Sequence, residues 1–165
     1  MKYLISDIHG DKKGFLKLLK KIDFDKDKDC LYILGDIFDR NVYGYDIYKY
    51  IRPYVEQGSM VMIKGNHEHY AQRFLQGDLD ENLWSELGDP ETVRRVKALP
   101  DEEKRELETF ILDLPHYVEI ETKYGKTLLI HSSIGEEKNY VFYTDDDGNE
   151  KIDIKKSIDK SIEDD

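Results

Sequence analysis

Short apolar runs alternate with stretches of helical period along the first part of the chain. Tyr3-Leu4-Ile5-Ser6, Cys30-Leu31-Tyr32-Ile33-Leu34 and Met60-Val61-Met62-Ile63 have the length and composition of buried strands. Between the first two, Phe15, Leu16, Leu18 and Leu19 fall at helical spacing within Lys12 to Lys21, among lysines that can face water. Between the second and third, Tyr43, Ile47, Tyr50, Ile51 and Tyr54 recur every three or four residues. This β-α-β-α-β order predicts an α/β fold with a largely parallel sheet covered by helices.

From His69 to Leu112 the pattern is helical and charged, and Gly77, Gly88-Asp89-Pro90 and Pro100 predict a break into three pieces. Pro100-Asp101-Glu102-Glu103 opens a helix with proline and acidic residues in its first turn. Pro115 closes the helical region. Tyr117 to Thr122 and Thr127 to Ile130 then predict two strands joined at Tyr124-Gly125. Beyond His131 the pattern weakens to a short strand at Val141-Phe142-Tyr143, a turn at Asp145-Asp146-Asp147-Gly148, and a polar, frayed helix or disordered end from Ile152 to Asp165. The expected organisation is a domain over 1–135 and an acidic segment over 136–165.

Composition narrows the classes. A chain of 165 residues suits one domain able to bury about two-thirds of its surface. No apolar run approaches membrane-spanning length, and the N-terminus turns charged too soon for a secretory signal. One cysteine excludes an intramolecular disulfide, which fits a cytoplasmic location; Cys30, inside an apolar run, reads as a small buried hydrophobe. The net charge of −11 argues against general nucleic-acid binding. Of that charge, −6 comes from residue 136 onward, where 11 acidic residues face 5 basic ones.

The strand ends change the picture. They read Ser6-Asp7-Ile8-His9-Gly10, then Gly35-Asp36-Ile37-Phe38-Asp39-Arg40, then Lys64-Gly65-Asn66-His67-Glu68, and finally His131-Ser132-Ser133. In open α/β sheets ligands bind beyond the carboxyl ends of the strands, so these four loops are expected to converge on one crevice. Their oxygen and nitrogen donors suit Mn, Fe, Zn or Mg rather than thiolate-seeking metals. A two-metal hydrolase needs one carboxylate bridging ions about 3.5–4 Å apart. Asp36 fits that bridge, with Asp7 and His9 on the first metal and Asn66 and His131 on the second. A metal-bridging hydroxide would attack phosphorus, and His67, oriented by Asp39, would protonate the leaving oxygen. Arg40 offers a planar fork for two phosphate oxygens. Glu68 reads as a capping or pairing residue, and Trp84 as packing for a helical cap.

The same residues carry a resemblance. Asp7-x-His9-Gly10, Gly35-Asp36-x-x-Asp39-Arg40, Gly65-Asn66-His67-Glu68 and His131 resemble the calcineurin-like metallophosphoesterases, and within them the phosphoprotein phosphatase branch. That branch includes bacteriophage lambda protein phosphatase and the symmetrical diadenosine tetraphosphate hydrolases. The resemblance runs over residues 3–134. It implies a β-sandwich flanked by helices, a helical insert at about 69–114, and a dinuclear centre often active with Mn²⁺. It also implies phosphomonoester hydrolysis without a phosphoenzyme. The sequence departs from the pattern where Asn41 replaces a glycine and where His131 precedes Ser-Ser. No histidine or arginine follows His131, so the family's later phosphate-gripping arginine and its Gly-His-Thr-like motif have no counterpart. A second metal site one histidine short and an incomplete C-terminal part of the sandwich are therefore expected.

The sequence reading is a metal-dependent phosphomonoesterase acting on a phosphoprotein or a small phosphoester, with serine/threonine phosphoproteins among the candidates. The alternatives are a diadenosine tetraphosphate or other nucleotide phosphohydrolase, and a metal-binding pseudoenzyme or regulatory module.

Overall fold

Three parallel strands build the scaffold of the computed structural model, which describes residues 1–132 and 141–163. Strand β1 (Lys2–Ile5) leads to helix α1 (Lys12–Lys21), β2 (Cys30–Ile33) to α2 (Gly44–Glu56), and β3 (Met60–Met62) completes the sheet. The order is β1-β2-β3, with Leu4 opposite Tyr32 and Tyr32 opposite Val61. The central strand buries Leu31 and Ile33, while α1 buries Phe15 and Leu19 and α2 buries Ile47, Tyr48 and Ile51, with the Phe15 and Tyr50 rings in contact between the two helices. Asp11 starts α1 by accepting the Gly14 amide at 2.9 Å. Cys30 is half-buried, not fully enclosed as its apolar run suggested.

The helical middle differs from expectation in two ways. It begins at Asn66, because α3 (Asn66–Gln76) starts directly after the third strand's glycine. It also comprises four helices rather than three, the others being α4 (Glu81–Leu87), α5 (Pro90–Lys97) and α6 (Asp101–Leu112). The first two breaks each supply an aspartate that caps the next helix, while α6 starts after Pro100 without a side-chain cap. Asp80 accepts the Asn82 and Leu83 amides at 2.8 and 3.0 Å, and Asp89 accepts those of Glu91 and Thr92 at 2.7 and 3.2 Å. Pro90, in the first turn of α5, has no amide to leave unpaired.

Strands β4 (Tyr117–Thr122) and β5 (Gly125–Ile130) form the expected antiparallel hairpin, with Tyr117 opposite Ile130. The Lys64 amide donates to the Pro115 carbonyl at 2.8 Å, which ties the end of β3 to the approach to β4. Buried Ile37, Phe38, Met62, Trp84, Leu107 and Ile111 belong to one apolar core. No helix among the described residues is long and apolar enough to cross a membrane.

These elements lie in one compact unit, Met1–His131, and Ser132–Asp165 forms a second. Within the second, β6 (Phe142–Thr144) pairs with β7 (Glu150–Ile152) across the expected acidic turn, and α7 (Ile154–Glu163) follows. The expected short strand is paired in a hairpin, and of the frayed helix or disordered end expected from Ile152 the structure shows the helix. Asp153 starts the helix by accepting the Lys156 amide at 3.1 Å, and Ile158 supplies an apolar anchor.

Candidate metal centre

The two loops after β1 and β2 interlock through their backbones. His9 and Gly10 donate amides to the carbonyls of Asp36 and Ile37 at 2.9 and 2.8 Å, and Asn41 Nδ2 donates to the His9 carbonyl at 2.9 Å. Asp7, His9, Asp36, Asp39 and Arg40 all adopt positive φ, between +44° and +65°. Side chains rarely accept that region, at a cost of about 1–3 kcal/mol each. The surrounding tethers must offset this cost, and strain concentrated on chemistry-bearing residues is what functional loops show.

Glycines permit the remaining close approach. A Cβ on Gly35 would lie 2.8 Å from the Gly65 Cα, and one on Gly65 would lie 2.2 Å from Asp36 Oδ1. The ends of β2 and β3 can therefore meet only without side chains at these positions. Glu68, fully buried at the start of α3, locks this junction. Its carboxylate accepts the amides of Asp36, Ile37 and Gly65 at 2.7, 2.8 and 2.8 Å. Burial pushes the Glu68 carboxyl up, against the downward pull of those amides.

Around Asp36 the imidazoles share one arrangement. His9 Nδ1 lies 2.8 Å from the Phe38 carbonyl, His131 Nδ1 lies 2.6 Å from the Leu34 carbonyl, and His67 Nδ1 lies 2.6 Å from Asp39 Oδ2. With each Nδ1 carrying the proton, each Nε2 is left facing inward. The three Nε2 atoms lie 3.8, 3.2 and 3.9 Å from Asp36 Oδ2 for His9, His131 and His67. His9, Asp36 and His67 are buried, and their ligand atoms all lie within 4.8 Å of one another. Buried His9 Nε2 has no hydrogen-bond partner among the described residues. A lone pair of that kind, facing a carboxylate, is the donor set a divalent transition metal satisfies.

Electrostatics follow the geometry. Burial opposes ionisation of Asp36, but the hydrogen bonds from His131 and the His67 amide outweigh it and hold the carboxyl below the usual range. The hydrogen bond to Asp36 raises His131 to about 9. Burial disfavours the charged His67 imidazole, yet the hydrogen bond to Asp39 and the Asp36 charge together raise it.

The other expected residues sit at the rim. Asp7 is exposed, with Oδ1 3.6 Å from His9 Nε2. Asn66 is exposed, and its Oδ1 lies 3.0 Å from His131 Nε2. The structure thus brings Asp7, His9, Asp36, Asn66, His67 and His131 together. Arg40 is exposed and pairs with no described carboxylate. Asp39 is fully buried, and its Oδ2 accepts from His67 and, at 3.1 Å, from Trp84 Nε1 on α4.

Two residues contribute more than their sequence context suggested. Glu68 is an amide acceptor for two loops, a role hinted at by its place three residues after Gly65, where helix starts favour glutamate. Trp84 reaches Asp39 across 45 positions, and no local pattern announces that contact.

Several known proteins are similar to this chain. The profile of the calcineurin-like phosphoesterases matches residues 3–158. A symmetrical bis(5'-nucleosyl)-tetraphosphatase of Hamiltonella defensa is 36% identical over 66 residues, which cover 40% of this chain and 23% of that protein. An asymmetrical bis(5'-nucleosyl)-tetraphosphatase of a Geobacillus species is 27% identical over 143 residues, 79% of this chain and 56% of that one. The matches to these two relatives span from about a quarter to about half of their length. Among solved structures, a putative diadenosine tetraphosphatase superimposes with a TM-score of 0.50 at 19% identity, over 69% of this chain and 42% of that one. A hypothetical protein from Pyrococcus horikoshii OT3 gives 0.53 at 16% identity, over 83% and 60%. These two structures share the fold.

Proposed function

The chain belongs to the calcineurin-like phosphoesterase family, and from that premise we propose that it is a divalent-metal-dependent phosphoester hydrolase. The observation that carries this reading is the inward convergence of three imidazole Nε2 atoms on Asp36 Oδ2, at 3.2–3.9 Å. Asp36 would be shared by the ions, with Asp7 and His9 holding one and Asn66 and His131 the other. Mn²⁺ is the first metal to test, with Fe, Zn and Mg as alternatives for this oxygen and nitrogen donor set. When bound, such ions supply Lewis-acid activation of water and of the phosphoryl oxygens.

The chain's own residues supply the rest. His67 holds a proton on Nε2 while its Nδ1–H stays on Asp39, so the imidazole can protonate a departing oxygen without turning. A neutral histidine would then remain, ready to take a proton from solvent. Arg40, exposed beside the crevice, presents its guanidinium to two phosphate oxygens. The buried carboxylate–imidazole pair also matches a metal ligand with its outer-sphere carboxylate. Metal stoichiometry distinguishes the two roles: His67→Asn is expected to keep the metals and lose turnover.

Two substrate classes are supported by different observations. The Asp39–His67 pair favours phosphomonoesters, phosphoproteins included, because an alkoxide leaving group needs a proton most. Similarity to enzymes named bis(5'-nucleosyl)-tetraphosphatases favours dinucleoside polyphosphates, whose phosphate leaving groups depart more readily. Parallel Mn²⁺-dependent assays with 4-nitrophenyl phosphate, a phosphoserine peptide and diadenosine tetraphosphate rank them. Metal-loaded protein that turns over none of the three would sink the enzyme reading.

A further inference from the structure

The Asp39 carboxylate is enclosed by the helical middle, not by the strand loops alone. Its Oδ2 accepts from His67 Nδ1 at 2.6 Å and from Trp84 Nε1 at 3.1 Å. Trp84 lies on α4, is fully buried, and packs its ring against Phe74 with centroids 5.0 Å apart. On the same side, the backbone at Gly88 comes so close that a Cβ there would lie 2.4 Å from Asp39 Oδ2 and 2.7 Å from Oδ1. Asp39 Oδ1 has no hydrogen-bond partner among the described residues. Among the described residues the carboxylate therefore has two donors, both on one oxygen, and one of them comes from α4.

We propose that Trp84 is a positioning residue for leaving-group protonation: its indole N–H fixes the Asp39 carboxylate so that Oδ2 holds His67 with Nε2 facing Asp36. This rests on the reading of His67 as the proton donor. Packing alone does not explain the contact, because a phenylalanine or leucine would fill the core without bringing in a buried N–H that must find an acceptor. The acceptor is the one oxygen already bonded to the imidazole. With one donor fewer, the carboxylate can rotate toward its unpartnered Oδ1, and the imidazole loses its hold. In the supported step a hydroxide oxygen bonds to phosphorus as the bond from phosphorus to the leaving oxygen breaks, the proton on His67 Nε2 moves to that leaving oxygen, and Nδ1–H stays on the imidazole, hydrogen-bonded to Asp39. The indole N–H transfers nothing.

The test compares two substrates in the Mn²⁺-loaded protein. Phenyl phosphate has a poor leaving group and depends on proton donation, whereas 2,4-dinitrophenyl phosphate has a good one and does not. Trp84→Phe keeps the aromatic bulk and removes the donor. Its kcat on phenyl phosphate should fall about tenfold, the scale of one hydrogen bond to a charged group. KM, metal stoichiometry and kcat on 2,4-dinitrophenyl phosphate should stay near wild type. Gly88→Ala, which drives a methyl group into the Asp39 carboxylate while leaving the indole in place, should give the same split and serves if the first variant does not fold. Equal losses on both substrates, or no loss on either, would overturn the proposal. His67→Asn in the same assay locates a failure. If it shows the leaving-group split and Trp84→Phe does not, only the role of Trp84 is wrong. If the wild type turns over neither substrate, or His67→Asn shows no split, the reading of His67 falls and this proposal with it.

Discussion

Two acidic loops in this molecule have nearly the same vocabulary and opposite fates. The loop after β2 carries Asp36 and Asp39, both buried, and their partners come from the loop after β1, from α3 and α4, and from His131 just past β5. The turn between β6 and β7 carries Asp145, Asp146 and Asp147, and its carboxylate bonds are local. Asp145 accepts the amides of Asp147 and Asn149 at 3.1 and 2.8 Å and pairs with Lys151 at 2.6 Å. The lysine and its own turn hold Asp145 below the usual carboxylate range. The density of carboxylates does not separate the two loops. What separates them is whether the lone pairs are satisfied within a few residues or left to groups distant in sequence.

The comparison can be broken at its strongest point first. Asp36→Asn should remove metal binding and lower kcat/KM by more than the roughly 100-fold that outer-sphere partners cost, read by metal analysis and steady-state kinetics. Retained metal with near-normal turnover would place the shared ligand elsewhere. Next, Gly65→Ala sets a methyl group 2.2 Å from Asp36 Oδ1, and the resulting overpacking should cost about 1–3 kcal/mol of stability in denaturant titration along with most of the activity.

A third effect is the pH response of the metal-free protein. His131 is raised to about 9 from its ordinary 6.5, so its charged pairing with Asp36 stabilises the fold fully below about 6.5. That contribution is lost as pH rises through 9, and the Tm of chelator-treated protein should fall across this window. The sign reverses for metal affinity: the proton on Nε2 competes with the ion, so affinity should rise over the same range. His131→Asn should flatten both profiles. The smallest effect belongs to the second loop. Asp145→Asn should leave metal stoichiometry and kcat unchanged, and any change in either would show that the contrast between the loops is false.

The contrast also explains what the sequence made legible. The three parallel strands and their helices were readable because each pairs with a chain neighbour and buries a simple stripe, as Phe15, Leu19, Ile47 and Ile51 do. The residues at the strand ends were readable because Asp, His and Asn recur where an α/β sheet opens its crevice. Other features depend on distance. The start of α3 at Asn66 is set by Glu68 closing back on Gly65 and across to Asp36, which helical period alone does not encode. The same holds for Trp84: its period announced a buried aromatic, and only the fold shows which acceptor its N–H meets. The fourth helix in the middle was legible as well, because three breaks at Gly77, Gly88-Asp89-Pro90 and Pro100 leave four pieces; Asp80 and Asp89 cap two of them.

The Glu68 carboxylate has a dynamic consequence. One side chain holds the amides of Asp36, Ile37 and Gly65, so none of the three can be released to solvent by local fraying unless the latch itself opens. In deuterium exchange they should behave as a single opening unit, with closely matched protection, despite lying on two loops 28 or 29 positions apart. The loop that presents Asp36 and the helix start that presents His67 would then rise and settle together.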